Sequence, residues 1–167
     1  SITSSMISLE GRNYAILKSL PVSPKKILMA KVYTSSLLTI PVFILGDVIM
    51  FIKLKIGVLD CVFLILLTIL MPLVSHFLGL IMNLKFPKLE FENPTEVVKQ
   101  SMSSFLSVTI GMTLIILISI IVMKMINMNF SSLCIFISMI SFFTIVDFIL
   151  YQYLMKKGVT IYNNLTT

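Results

Sequence analysis

Four long apolar stretches leave this chain one solvent for most of its surface, and that solvent is lipid. Residues 27–52 hold only two charges, Lys31 and Asp47. Residues 61–84 hold none apart from the titratable His76, residues 100–123 hold none, and residues 125–155 hold Asp147 alone. A spanning helix needs about 20 predominantly apolar residues to cross about 30 Å of hydrocarbon, and each stretch meets that length. Only 12% of the 167 residues are charged and the mean hydropathy is +1.05, where a soluble domain carries about 25% charged residues. The stretches are apolar all round rather than along one stripe, which excludes a soluble amphipathic bundle. The fold class expected is an all-α integral membrane protein, with spans of about 27–52, 59–84, 100–126 and 130–155. Four spans leave no room for a soluble catalytic domain.

The net charge of +6 is informative through its placement, since Lys and Arg collect on the cytoplasmic side of a membrane. With alternating spans, one side carries Arg12, Lys18, Lys25, Lys26, Lys31, Lys85, Lys88, Lys99, Lys156 and Lys157. The other carries Lys53, Lys55 and Lys124. The ten-to-three split puts the N-terminal segment, the loop 85–99 and the tail 158–167 in the cytoplasm. Both ends of the chain are therefore expected there. The basic excess belongs to membrane topology, and no nucleic-acid partner is expected.

Residues 4–20 read as an amphipathic cytoplasmic helix, with Met6, Leu9, Asn13, Ile16 and Leu20 on one stripe. Pro21 ends it. Ser23 and Pro24 read as a helix start, a capping hydroxyl followed by Pro at the first helical position. Asn93, Pro94 and Glu96 form a second start signal, which predicts one helix from Pro94 to Ile126. Within it, Ser103, Ser107 and Gly111 form a row of small residues suited to close helix approach. Lys156 and Lys157 followed by Gly158 read as the end of the last helix. The opening Ser-Ile-Thr suggests a C-terminal fragment of a longer protein. Abundant Ile, Lys, Asn and Met with two Ala suggests an AT-rich bacterial genome.

The chemistry-bearing residues are few. Asp47 and Asp147 are intramembrane carboxylates, each costly in hydrocarbon, and their positions along the spans put them at different depths. They read either as a polar lining or proton site, or as buried acids that are protonated or hydrogen-bonded to a neighbouring helix. His76, the only histidine, lacks companions for a metal site and reads as a hydrogen-bonding group between helices. Cys61 and Cys134 read as small buried residues rather than a disulfide. There is no G-x-S-x-G, no H-E-x-x-H and no G-x-x-x-x-G-K-[ST], so no nucleophile elbow, zinc protease or ATP-binding loop is encoded. No cofactor or metal is expected.

One segment resembles a known family. Leu9, Glu10, Gly11, Arg12, Asn13 and Tyr14, then Leu17 to Ser23, then Leu28 and Lys31, resemble the permease subunits of type-2 ABC transporters. The loop Leu84 to Leu89 with Glu96 to Ser101 is similar to large ABC exporter permeases of Firmicutes. The resemblance implies a permease that moves substrate with ATP hydrolysed by a separate nucleotide-binding subunit, facing a second permease half. It implies a coupling helix at about residues 5–20 that docks on that subunit. Glu10, Gly11 and Arg12 match the polar part of the motif, and Leu17, Leu20 and Pro21 the apolar part. Four spans, where six per half is usual, depart from the family. The alternatives are a non-transporting four-helix membrane protein, such as an immunity or assembly factor, and an intramembrane enzyme using His76 with an aspartate.

Overall fold

The computed structural model describes residues 2–13, 19, 21–54, 57–88 and 101–165. Those residues are mostly helical, with short turns between the helices and no strand among them. Four helices are long and apolar enough to cross a membrane. They are α1 (Pro24–Leu54), α2 (Val58–Lys85), α3 (Met102–Asn127) and α4 (Ser132–Tyr153), and α4 continues through a π turn (Leu154–Gly158) into the short α5 (Val159–Asn164). At 1.5 Å per residue, even the 22 residues of α4 reach about 33 Å, enough for the hydrocarbon core. By length and composition, all four are fit to span a membrane.

Most helix boundaries follow local chemistry. α1 opens at Pro24, where the missing N–H of Pro costs nothing, and the Ser23 carbonyl accepts from the amides of Lys26 and Ile27. Ser131 caps α4 through its side chain. α3 ends in a Schellman arrangement. Asn129 adopts a left-handed φ of 58°, its amide bonds the Ile126 carbonyl, and the Phe130 amide bonds that of Met125.

Two boundaries differ from expectation. α3 does not run unbroken from Pro94, because Ser101 is extended and caps the helix by accepting from the Ser104 amide. Pro94 itself lies outside the described residues. Gly158 does not stop the last helix, since its φ and ψ of −60° and −41° are helical. A Cβ at Gly158 would stand 2.8 Å from Leu154 Cδ1 and 3.4 Å from Leu84 Cδ1. The residue is small because α2 passes close by, and the helix continues to Asn164 with Tyr162 buried.

α2 is the hub, with α1, α3 and α4 all packed on it. It also carries most of the buried side chains. The hairpin α1–α2 has a regular register. Thr39 meets His76 and Asp47 meets Thr68, so eight residues forward on α1 are matched by eight back on α2. α4 runs parallel to α2, with Phe136 stacked on Phe63 at 5.4 Å and Tyr151 edge-on to Phe77 at 6.3 Å. Two apolar clusters fill the bundle. One gathers Leu28, Val32, Phe77, Leu80, Leu84, Leu154 and Tyr162 at the lysine-rich end. The other gathers Leu67, Val74 and Phe143 further along. The outer faces of α1 and α3 stay apolar and exposed, from Leu37 to Ile52 and from Phe105 to Ile126, as lipid-facing surfaces must be.

The N-terminal segment departs from the expected amphipathic helix. Residues 2–4 and 8–13 form two short 3₁₀ helices. Ile7 is fully buried and Leu9 is exposed, so the stripe predicted from Met6 and Leu9 is not the buried one. Thr3, Ser4, Ser5 and Ser8 are buried instead. Burial of hydroxyls at that density requires partners, and these lie on the spans.

Candidate functional site

The most organised polar region is the junction where the N-terminal segment enters the lysine-rich end of the bundle. Asn83, fully buried near the end of α2, is its centre. Its Oδ1 accepts from the amides of Ile7 at 2.7 Å and Ser8 at 3.1 Å. Its Nδ2 donates to Ser8 Oγ at 2.6 Å and Ser103 Oγ at 3.2 Å. A primary amide offers two lone pairs and two hydrogens, so this side chain is saturated. One residue thereby fixes the segment to both α2 and α3.

The junction reaches further into the bundle. Thr3 Oγ1 donates to the His76 carbonyl at 2.9 Å, nine residues before the end of α2, or about 13 Å at helical rise. Ser103 Oγ donates to the Ser4 carbonyl at 2.8 Å, and Ser4 Oγ lies 3.2 Å from Ser104 Oγ. Ser103 and Ser107 of the small-residue row are buried, and Ser103 receives the segment's backbone. On the α1 side, Ser35 Oγ donates to Met6 Sδ at 3.5 Å, and Lys31 Nζ forms an ion pair with Glu10 Oε1. Both partners of that pair are largely shielded, with 12% and 15% of their side chains exposed. The segment is therefore a wedge pinned to α1, α2 and α3.

The proposed coupling residues divide accordingly. Glu10 faces Lys31 within the junction rather than open solvent. The backbones of Gly11 and Arg12 lie in the second 3₁₀ helix. Pro21 is exposed in the turn before α1. Leu17 and Leu20 lie outside the described residues.

The intramembrane polar residues fall on different interfaces of α2. Thr39 Oγ1 donates its single hydrogen to the Ser35 carbonyl at 2.9 Å and stands 2.8 Å from His76 Nε2. With that hydrogen spent, Nε2 is assigned as the donor to Thr39. Nδ1 then carries the lone pair, buried and without a partner among the described residues. Thr68 Oγ1 donates to Asp47 Oδ2 at 2.6 Å, two helical turns away toward the α1–α2 loop. Asp147 is buried between α4 and α2, and neither of its oxygens has a hydrogen-bond partner among the described residues. The α2–α4 register puts it level with about Val74.

These three groups do not assemble into one site. Asp47 and His76 bond threonines across the α1–α2 hairpin, and Asp147 lies on the α2–α4 interface with no hydrogen bond to His76. Among the described residues, no group of three metal-ligating side chains comes together. Cys61 and Cys134 form no disulfide, and they are half-buried and exposed, respectively, rather than buried as expected.

Sequence reasoning missed Asn83. The available signal was a lone amide in an otherwise apolar span, near a stretch holding Ser101, Ser103, Ser104 and Ser107. Comparisons with family models, curated proteins and solved structures return no match.

Proposed function

We propose that this chain is the membrane-spanning part of a permease subunit of an ABC exporter. It moves substrate with ATP hydrolysed by a separate nucleotide-binding subunit and faces a second permease half. Its setting is the bacterial cytoplasmic membrane, with both ends of this chain in the cytoplasm. The chain supplies no ATPase chemistry of its own.

The observation that carries the reading is the ion pair between Glu10 and Lys31. Both belong to the residues on which the family resemblance rests, and they stand 21 positions apart. A coupling element must pass a push from a soluble partner into the spans without bending. Here the segment entering the bundle is tied to α1 by Glu10–Lys31 and to α2 and α3 by Asn83. Glu10 serves as the internal tie in this scheme, and the docking surface falls to Arg12, Leu17, Leu20 and the exposed Pro21. The topology is supported by geometry. Lys25, Lys26, Lys31, Lys85, Lys156 and Lys157 lie in the helix ends that gather with Ile7 in one apolar cluster, and Lys88 follows the end of α2.

The test is co-purification of the full-length permease with the ATPase encoded beside it, comparing wild type with Leu17→Asp. The reading requires capture by the wild type and loss of capture by a variant that still elutes as a folded protein from detergent. Absence of any associated ATPase with the wild type would favour a stand-alone four-helix protein instead.

A further inference from the structure

The lysine-rich end holds a second organised feature, independent of the transporter reading. Lys85, the last residue of α2, places Nζ 5.4 Å from the centroid of the Tyr153 ring. Lys157, in the π turn after α4, places Nζ 5.7 Å from the same centroid. Each lies within the distance at which an aromatic ring attracts a cation. Two ammonium groups from different helices are thus held within 11.1 Å of each other. Like charges gathered in this way create a local positive potential that favours an anion. Among the described residues the ion pair at this end joins Lys31 to Glu10, and no carboxylate pairs with Lys85 or Lys157.

The platform beneath them is fixed. Tyr153 packs against the buried cluster of Leu28, Leu80, Leu84 and Leu154. Gly158 lets Leu84 approach the π turn closely, which brings the end of α2 beside the end of α4. π turns often mark places where a helix has been reshaped for a purpose. Both lysines are exposed, and they stand where the apolar spans end. That is the level of lipid phosphates, where Tyr rings also collect. Basic pockets between spans on the cytoplasmic side bind anionic headgroups.

The geometry points to a headgroup site for an anionic phospholipid, formed by Lys85 and Lys157 on the Tyr153 ring. The lipid's acyl chains lie along the apolar outer surface of α2 and α4, and its phosphate sits at the ring edge within reach of the lysine ammonium groups.

The experiment is native mass spectrometry of the purified chain in neutral detergent, titrated with phosphatidylglycerol, phosphatidylcholine or inorganic phosphate. The wild type retains one phosphatidylglycerol in preference to phosphatidylcholine, and inorganic phosphate at equal concentration does not displace it. Lys85→Ala with Lys157→Ala weakens that binding by roughly thirtyfold, at about fivefold for each lysine near the surface. Lys25→Ala with Lys26→Ala removes the same charge away from the ring and changes binding by less than about threefold. Thermal melts of both variants confirm that they are folded. Equal losses in the two double variants would reduce the effect to bulk charge and overturn the site. So would equal retention of the two lipids, and displacement by free phosphate would make it a general anion site rather than a lipid one.

Discussion

Replacing Asn83 with Leu should release the N-terminal segment while leaving the four spans in place. Leu has nearly the volume of Asn plus a methyl group, so no cavity opens, but it offers nothing to the backbone of the segment. The amides of Ile7 and Ser8 lose the Asn83 acceptor, at 2.7 and 3.1 Å, in a place where Ile7 and Ser8 have no solvent exposure. An orphaned buried donor costs about 1–3 kcal/mol, so two cost about 2–6 kcal/mol. The hydroxyls of Ser8 and Ser103 can rotate toward other acceptors and add little. Detachment of the wedge relieves the penalty, because the freed amides then reach water. Hydrogen exchange at residues 3–10, read by mass spectrometry on detergent-solubilised protein, should therefore accelerate by at least about thirtyfold, the equivalent of about 2 kcal/mol. Exchange at mid-span amides of α2 should not change. Unaltered exchange at residues 3–10 in a folded Asn83→Leu protein would refute the reasoning.

Other perturbations follow from the same contacts. Lys31→Met strands a shielded Glu10 and should destabilise the protein by about 3–5 kcal/mol, whereas adding Glu10→Gln to it should recover part of the loss; a thermal double-mutant cycle measures the difference. Thr68→Val removes the donor to Asp47 and should cost about 0.6–1.7 kcal/mol, the range for hydrogen bonds between spans; Asp47→Asn keeps an acceptor for Thr68 and should cost less in the same melt. Gly158→Ala would gain about 1 kcal/mol of helix propensity at an open position, but its methyl would stand 2.8 Å from Cδ1 of the fully buried Leu154, which must shift within the packed cluster. Overpacking of about 1–3 kcal/mol should prevail, and the variant should melt below wild type.

The long elements were legible because lipid imposes a simple requirement. Each span must satisfy its own backbone, so an apolar run of sufficient length becomes a helix whatever its neighbours do. The start at Pro24 follows from Ser23 and Pro24, the residues at the boundary. Gly158 misled because its local meaning, a helix stop, was overruled by tertiary packing: the residues after it, with Tyr162 buried, pack on the core cluster. The N-terminal segment misled for a related reason. Periodicity reports where apolar side chains cluster, and this segment is buried through Thr3, Ser4 and Ser8, whose partners lie about 70 to 100 residues away. Hydrogen bonds between hydroxyls and a distant amide leave no periodic trace. Asp47, Asp147 and His76 stood out as polar groups in apolar runs. The partners of Asp47 and His76, Thr68 and Thr39, could not be chosen until the hairpin register was known.

The account depends above all on four crossings that return both ends of the chain to the cytoplasm. The direct measurement is labelling of single cysteines with a membrane-impermeant maleimide, in a background carrying Cys61→Ser and Cys134→Ser. Met128→Cys lies at the exposed α3–α4 turn, and Lys156→Cys and Lys25→Cys at the lysine-rich end. Labelling of Met128→Cys in intact cells, with the other two reactive only after permeabilisation, is the predicted result. Labelling of Lys156→Cys or Lys25→Cys in intact cells would contradict it.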